Sequence, residues 1–189
     1  MKRDFRILLV EDNKYHAALI ERGIAERYAG SQVDVFSSGS AALEAARRHQ
    51  YDVAVIEQSL PDFDGLELLA LLRKDDIDLP VIITSTSGSE QLASEATRSG
   101  AAEYLVKDSS FHVTIPRLIG DVIRRRVLVL KNRELEQQLK QKDQVDVVKI
   151  AAGTLSHEIN NPLMTILGTS ELLLDDISLQ DRELVRKIR

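Results

Sequence analysis

Two short stretches, Ile7-Leu8-Leu9-Val10 and Val81-Ile82-Ile83, are apolar at every successive position. A strand turns alternate side chains to opposite faces, so a run of this kind needs both faces buried. A parallel sheet covered by helices on both sides meets that demand. Similar runs recur along the first half of the chain, with helix-period stretches between them. The pattern predicts strands at 5–10, 33–36, 53–56, 81–84 and 102–106, and helices at 14–28, 40–48, 65–73 and 90–99. The expected class is therefore α/β, with a doubly wound five-stranded parallel sheet. In such folds the ligand site lies beyond the carboxyl ends of the strands.

Composition narrows the function. The 189 residues are 43% apolar and 29% charged, as in a protein with an ordinary core, and the 4% aromatic content without Trp makes that core aliphatic. Zero Cys excludes disulfides, thiolate metal sites and a Cys nucleophile. The 25 basic and 30 acidic side chains give a net charge of −5, which offers no electrostatic case for nucleic acid. No apolar run approaches the ~20 residues of a membrane helix. Met1-Lys2-Arg3-Asp4 leads straight into a strand, so neither a signal peptide nor a membrane span is expected, and the location predicted is cytoplasmic.

The texture changes near Thr114. Pro116 suits the first turn of a helix, and from there to Pro162 no Gly or Pro cluster interrupts the chain. One helix over 114–177 would be roughly 95 Å long, too long to pack on one small domain. Its apolar seam reads Val145, Val148, Ala152, Leu155, Ile159, Leu163, Ile166, Ser170, Leu173, Ile177, with Leu128, Leu135 and Leu139 continuing it upstream. The spacings of three and four, with one stutter, predict paired helices in a homodimer. After Asp175-Asp176, the pair Ser178 and Asp181 resembles a capping box opening a second helix, which ends in mid-pattern at Arg189. That ending reads as part of a longer protein.

Polar residues mark the carboxyl ends of the predicted strands: Glu11 and Asp12 after the first, Glu57 at the third, Ser85 at the fourth and Lys107 after the fifth. Two acids there can hold Mg²⁺, a hydroxyl can contact a phosphoryl oxygen, and a lysine can neutralise its charge. The stretches Leu8-Leu9-Val10-Glu11-Asp12-Asn13, Leu60-Pro61-Asp62-Phe63-Asp64-Gly65 and Gly100-Ala101-Ala102-Glu103-Tyr104-Leu105-Val106-Lys107 resemble the receiver domain of bacterial response regulators. The resemblance implies that Glu11 and Asp12 bind Mg²⁺, that Ser85 is the switch hydroxyl and that Tyr104 is the aromatic that turns inward on activation. Asp108 stands where the family usually has Pro.

Glu57 departs from the pattern, because the family has a phosphate-accepting Asp there. The added methylene moves the carboxylate by roughly 1.3 Å. Mg²⁺ coordination and in-line phosphoryl attack tolerate little misplacement, so phosphorylation and metal binding are expected to be weak or lost. Glu57 can instead mimic phosphoryl charge against Lys107, or merely balance that lysine. Asp62 reads as a solvated residue near the pocket rim, Asp64-Gly65 as a turn pair, and Arg124-Arg125-Arg126 as the basic face of an exposed helix.

The stretch Leu155-Ser156-His157-Glu158-Ile159-Asn160-Asn161-Pro162-Leu163 places His157 off the seam, with Asn161 four residues on along the same face. Pro162 cannot donate to the carbonyl of Glu158, so a kink is expected. The segment resembles the H-box of the dimerisation and histidine-phosphotransfer domain of sensor histidine kinases. That resemblance implies that His157 accepts the γ-phosphoryl of ATP, that Glu158 is the general base and that Asn161 positions water or phosphate during reversal. A dimeric helical hairpin would be the fold.

The expected organisation is a receiver at 1–121, a coiled-coil signalling helix at 122–147 and a phosphoacceptor domain at 148–189. The function expected is phosphorelay signalling: an atypical receiver regulates a phosphoacceptor that is loaded by a kinase ATP-binding domain, with Mg²⁺-ATP, and that unloads to the Asp of a response regulator. The catalytic part would belong to the protein-histidine kinase family, though the ATP-binding domain is not in this chain. The rival readings are a non-catalytic pseudo-receiver and coiled-coil scaffold, or a receiver with a nucleic-acid-binding output.

Overall fold

The computed structural model describes residues 4–187, with side chains at 4–140 and 159–169. It divides into two units, Met1–Lys131 and Asn132–Arg189. The first holds β1 (Arg6–Val10), β2 (Gln32–Phe36), β3 (Val53–Glu57), β4 (Val81–Ser85) and β5 (Glu103–Val106), all parallel, in the order β2-β1-β3-β4-β5.

The consecutive apolar runs do what their pattern demanded. Ile7 and Leu9 of β1, Val53 and Val55 of β3 and Ile82 of β4 point to one face. There they pack under α1 (Lys14–Arg27) and the start of α5 (Phe111–Lys187). Leu8, Val10, Ala54, Ile56, Val81 and Ile83 point to the other face. That face is covered by α2 (Gly39–Arg48), α3 (Gly65–Lys74) and α4 (Glu90–Arg98). Both faces are dry, so alternation vanishes from the sequence of the central strands.

Helix starts are set by local side chains and by one distant one. Asn13 caps α1, accepting from the amides of Tyr15 and His16 at 3.0 and 3.2 Å. Asp64 and Glu67 form a capping box at α3. Gly65 comes next, at the point where a Cβ would come within 2.7 Å of the Glu57 carbonyl. Ser38 precedes α2 but makes no side-chain capping bond. Asp62 supplies the cap from across the fold, accepting from the amides of Gly39 and Ser40 at 2.8 and 2.9 Å. The expectation that Asp62 is merely solvated is thereby corrected: it is exposed, but bound to a helix N-terminus.

Helix α5 differs from expectation at both ends. It begins at Phe111 rather than Thr114, because Asp108 Oδ1 accepts from both the amide and the hydroxyl of Ser110 at 2.8 Å and starts the turn early. Pro116 thus falls after the first turn and leaves the His112 carbonyl without its helical donor. Gly23 of α1 lies against that carbonyl, and the Tyr28 hydroxyl donates to the carbonyl of Pro116 at 2.9 Å. The helical backbone then passes through Pro162 and through 175–178 to Lys187, so the turn expected after Asp175-Asp176 is not made. Ser and Asp cost a helix only some tenths of a kcal/mol each, too little to break the ladder unless a second helix packs across it.

Beyond the sheet, α5 carries Val127, Leu128, Val129 and Leu130 at 38, 59, 50 and 45% exposure. Ile159, Leu163 and Ile166 are likewise exposed at 56, 51 and 65%. Among the described residues, no helix is long and apolar enough to cross a membrane.

Candidate functional site

The strand order reverses between β1 and β3, and their carboxyl ends deliver Glu11 and Glu57 to one crevice. Lys107 arrives from the end of β5, held in place by its backbone N–H, which donates to the Ser85 carbonyl at 2.8 Å. Its ammonium donates to Oε2 of Glu11 and Oε2 of Glu57 at once. The three side chains are almost wholly buried, at 2% exposure for Lys107, 2% for Glu11 and 6% for Glu57.

The remaining oxygens are also engaged. Glu11 Oε1 accepts from the Asn13 amide at 3.3 Å and faces His16 Nδ1 at 3.6 Å. Glu57 Oε1 accepts from the Gln58 amide at 3.1 Å and, more loosely, from that of Ser59 at 3.5 Å. Phe111 closes the cluster, with His16 edge-on at 5.2 Å and the Lys107 nitrogen 5.9 Å from its ring centroid. Burial of charge is expensive, and this dense set of hydrogen bonds is what makes it tolerable here.

Other pocket residues stand apart from this cluster. Asp12 is exposed, so the expected acid pair is split between the interior and the rim. Ser85 turns its hydroxyl to its own loop, donating to the Ser87 carbonyl at 2.8 Å and accepting from the Ser87 amide at 3.2 Å. Tyr104 packs against the core beneath α2, α3 and α4, and its buried hydroxyl has no hydrogen-bond partner among the described residues. Among those residues no three His, Asp or Glu side chains converge as a metal site. The oxygens of Glu11 and Glu57 that would face a cation already hold Lys107. The donor set therefore does not fit the Mg²⁺ expected at Glu11 and Asp12.

The run of arginines is neutralised within the fold. Arg124 faces Asp121 at 3.6 Å, Arg125 pairs with Glu103, and Arg126 pairs with Asp78 at 3.1 Å. On α5, Asn161 is exposed, while the side chains of His157 and Glu158 lie outside the described residues. Sequence reasoning missed His16 as a neighbour of Glu11. Its position five residues beyond the acid, in the first turn of a helix capped by Asn13, carried the signal.

The family model for the response regulator receiver domain matches residues 7–118. The chain belongs to the response regulator receiver family. A second model, the His Kinase A (phospho-acceptor) domain, matches residues 148–189. The receiver domain of the Francisella response regulator 1452 is 32% identical, with a TM-score of 0.60 over 65% of this chain and 99% of its own. Transcriptional regulatory protein QseB of Haemophilus influenzae is 33% identical over 64% of this chain and 53% of its own length. For transcriptional regulatory protein PcoR of Escherichia coli, the identity is 30% over 60% and 49% respectively. The chain thus spans about half the length of these curated relatives. A flavodoxin-like receiver followed by a histidine-kinase phosphoacceptor segment is a combination of phosphorelay signalling.

Proposed function

We propose that this chain is a phosphorelay protein whose output is phosphorylation of His157, with the receiver serving as a regulatory module that is not itself phosphorylated. The observation that carries the reading is the pairing of a phosphoacceptor match over 148–189 with a receiver in which Glu57 is tied to Lys107. His157 would attack the γ-phosphoryl of ATP held by a kinase domain, with Glu158 taking the ring proton. Asn161, exposed on α5, would orient water or phosphate in the reverse reaction. Two copies would associate through the apolar seam, and the phosphoryl group would pass to the Asp of a separate response regulator.

The test supplies the chain with a histidine-kinase ATP-binding domain and Mg²⁺-ATP. One acid-labile, base-stable phosphate per protomer is expected, and it should vanish in His157→Gln. An unlabelled wild type would favour the scaffold reading. Label that persists in His157→Gln and maps to His16, His49 or His112 would overturn the assignment.

A further inference from the structure

We infer that this receiver is metal-independent: the Lys107 ammonium, bridging Glu11 and Glu57, stands where a divalent cation would otherwise sit. The inference concerns the receiver pocket alone, so it can fail or hold whatever happens at His157.

Three observations carry it. First, the oxygens of the two buried acids are all in use. Both Oε2 atoms bind Lys107, while the Oε1 atoms face the Asn13, Gln58 and Ser59 amides and His16 Nδ1. Mg²⁺ demands near-octahedral oxygen coordination and gives up its water reluctantly, so it competes poorly for carboxylate atoms that already hold a buried ammonium. Second, the ammonium is sealed in, with the Lys107 side chain at 2% exposure and the Phe111 ring beside it. An entering ion would have to lose its hydration shell and also expel a buried charge from its partners, leaving that lysine without a carboxylate. Third, Asp12 is exposed and outside the cluster. One solvated carboxylate holds Mg²⁺ only feebly.

Glu57 supplies one of the two carboxylates that hold Lys107. The side chain reaches roughly one C–C bond projection, ~1.3 Å, farther than Asp would from the same backbone. That reach lets it meet Lys107 while Glu11 meets the same nitrogen from β1. A receiver built in this way carries its own cation, so magnesium does not set its conformation.

The experiment titrates the full chain with MgCl₂ and MnCl₂, reading calorimetric heat, thermal midpoint and Mn²⁺ broadening of the Asn13 and Gln58 amide signals. Wild type should show no saturable binding up to ~10 mM metal and no shift of the midpoint beyond ~1 °C. Lys107→Ala, and Lys107→Gln as a variant closer in size, remove the resident cation and leave the carboxylates free. Either variant should bind Mn²⁺ at least about tenfold more tightly than wild type, with a midpoint that rises with metal concentration. Submillimolar binding by wild type with broadening at Asn13 and Gln58 overturns the inference. A folded Lys107 variant that takes no Mn²⁺ also overturns it. Should both variants fail to fold with and without Mn²⁺, the wild-type titration decides alone.

Discussion

A Cβ on Gly23 would stand 2.2 Å from the carbonyl oxygen of His112. The two residues lie on different helices, and their approach fixes how closely α1 packs against α5 on the sheet. Replacing a helical Gly by Ala ordinarily stabilises by about 1 kcal/mol. Here the obstacle is backbone, which cannot rotate aside, so the clash wins. Gly23→Ala should lower stability by roughly 1–3 kcal/mol, read as a lower urea midpoint with an unchanged slope.

Glu57→Asp should turn the pocket back into a phosphate acceptor. Shortening the side chain loosens its hold on Lys107 and withdraws the carboxylate toward the backbone of β3. With Mg²⁺ and acetyl phosphate, the variant should gain a phosphoryl mass while wild type stays unmodified. A wild type that labels as readily as the variant would show that the length of Glu57 is not what disables the site.

The acid limb of stability should feel Asp62. Hydrogen bonds from the Ser40 backbone amide, and then from the Ser40 side chain, hold its carboxyl down at about 2, below the ordinary 3.8. A depressed folded value means that its stabilisation is complete above pH ~4 and is lost as pH falls toward ~2. Carboxyl carbon shifts should titrate near 2 at Asp62. In Asp62→Ala the acid-unfolding curve should lose part of its slope in that window.

Ile159 and Leu163 are more than half exposed on a single chain, at 56 and 51%. Apolar area of this kind, repeated at heptad spacing, is costly in water and is expected to close against a second copy. The double variant Ile159→Asp, Leu163→Asp should sediment as a monomer at concentrations where wild type is dimeric. A monomeric wild type at micromolar concentration would defeat the dimer.

The sheet was readable because burial on both faces leaves its mark on every strand position. Val53, Val55 and Ile82 went to one face and Ala54, Ile56 and Ile83 to the other, as consecutive apolar residues must. Glu11, Glu57 and Lys107 were readable as a set because each sits at a carboxyl end. The features that escaped were long-range. Nothing near Gly39 announces that a carboxylate 23 residues on will cap its helix. Nothing near Pro116 announces that the early start of α5 places the His112 carbonyl under Gly23. The split of Glu11 from Asp12, one buried and one exposed, depends on backbone direction after β1, which composition does not encode.

The turn of α5 formed by Val127, Leu128, Val129 and Leu130 has a consequence for dissecting the molecule. Successive residues on a helix are about 100° apart, so these four ring the helix and leave it no wet side. A receiver fragment ending at Arg126 keeps Val122 and Ile123 in the core, together with the Arg125–Glu103 and Arg126–Asp78 pairs. One ending at Lys131 carries an apolar collar at its tip, where it is free to stick to other copies. Five residues at that cut separate a well-behaved fragment from an adhesive one.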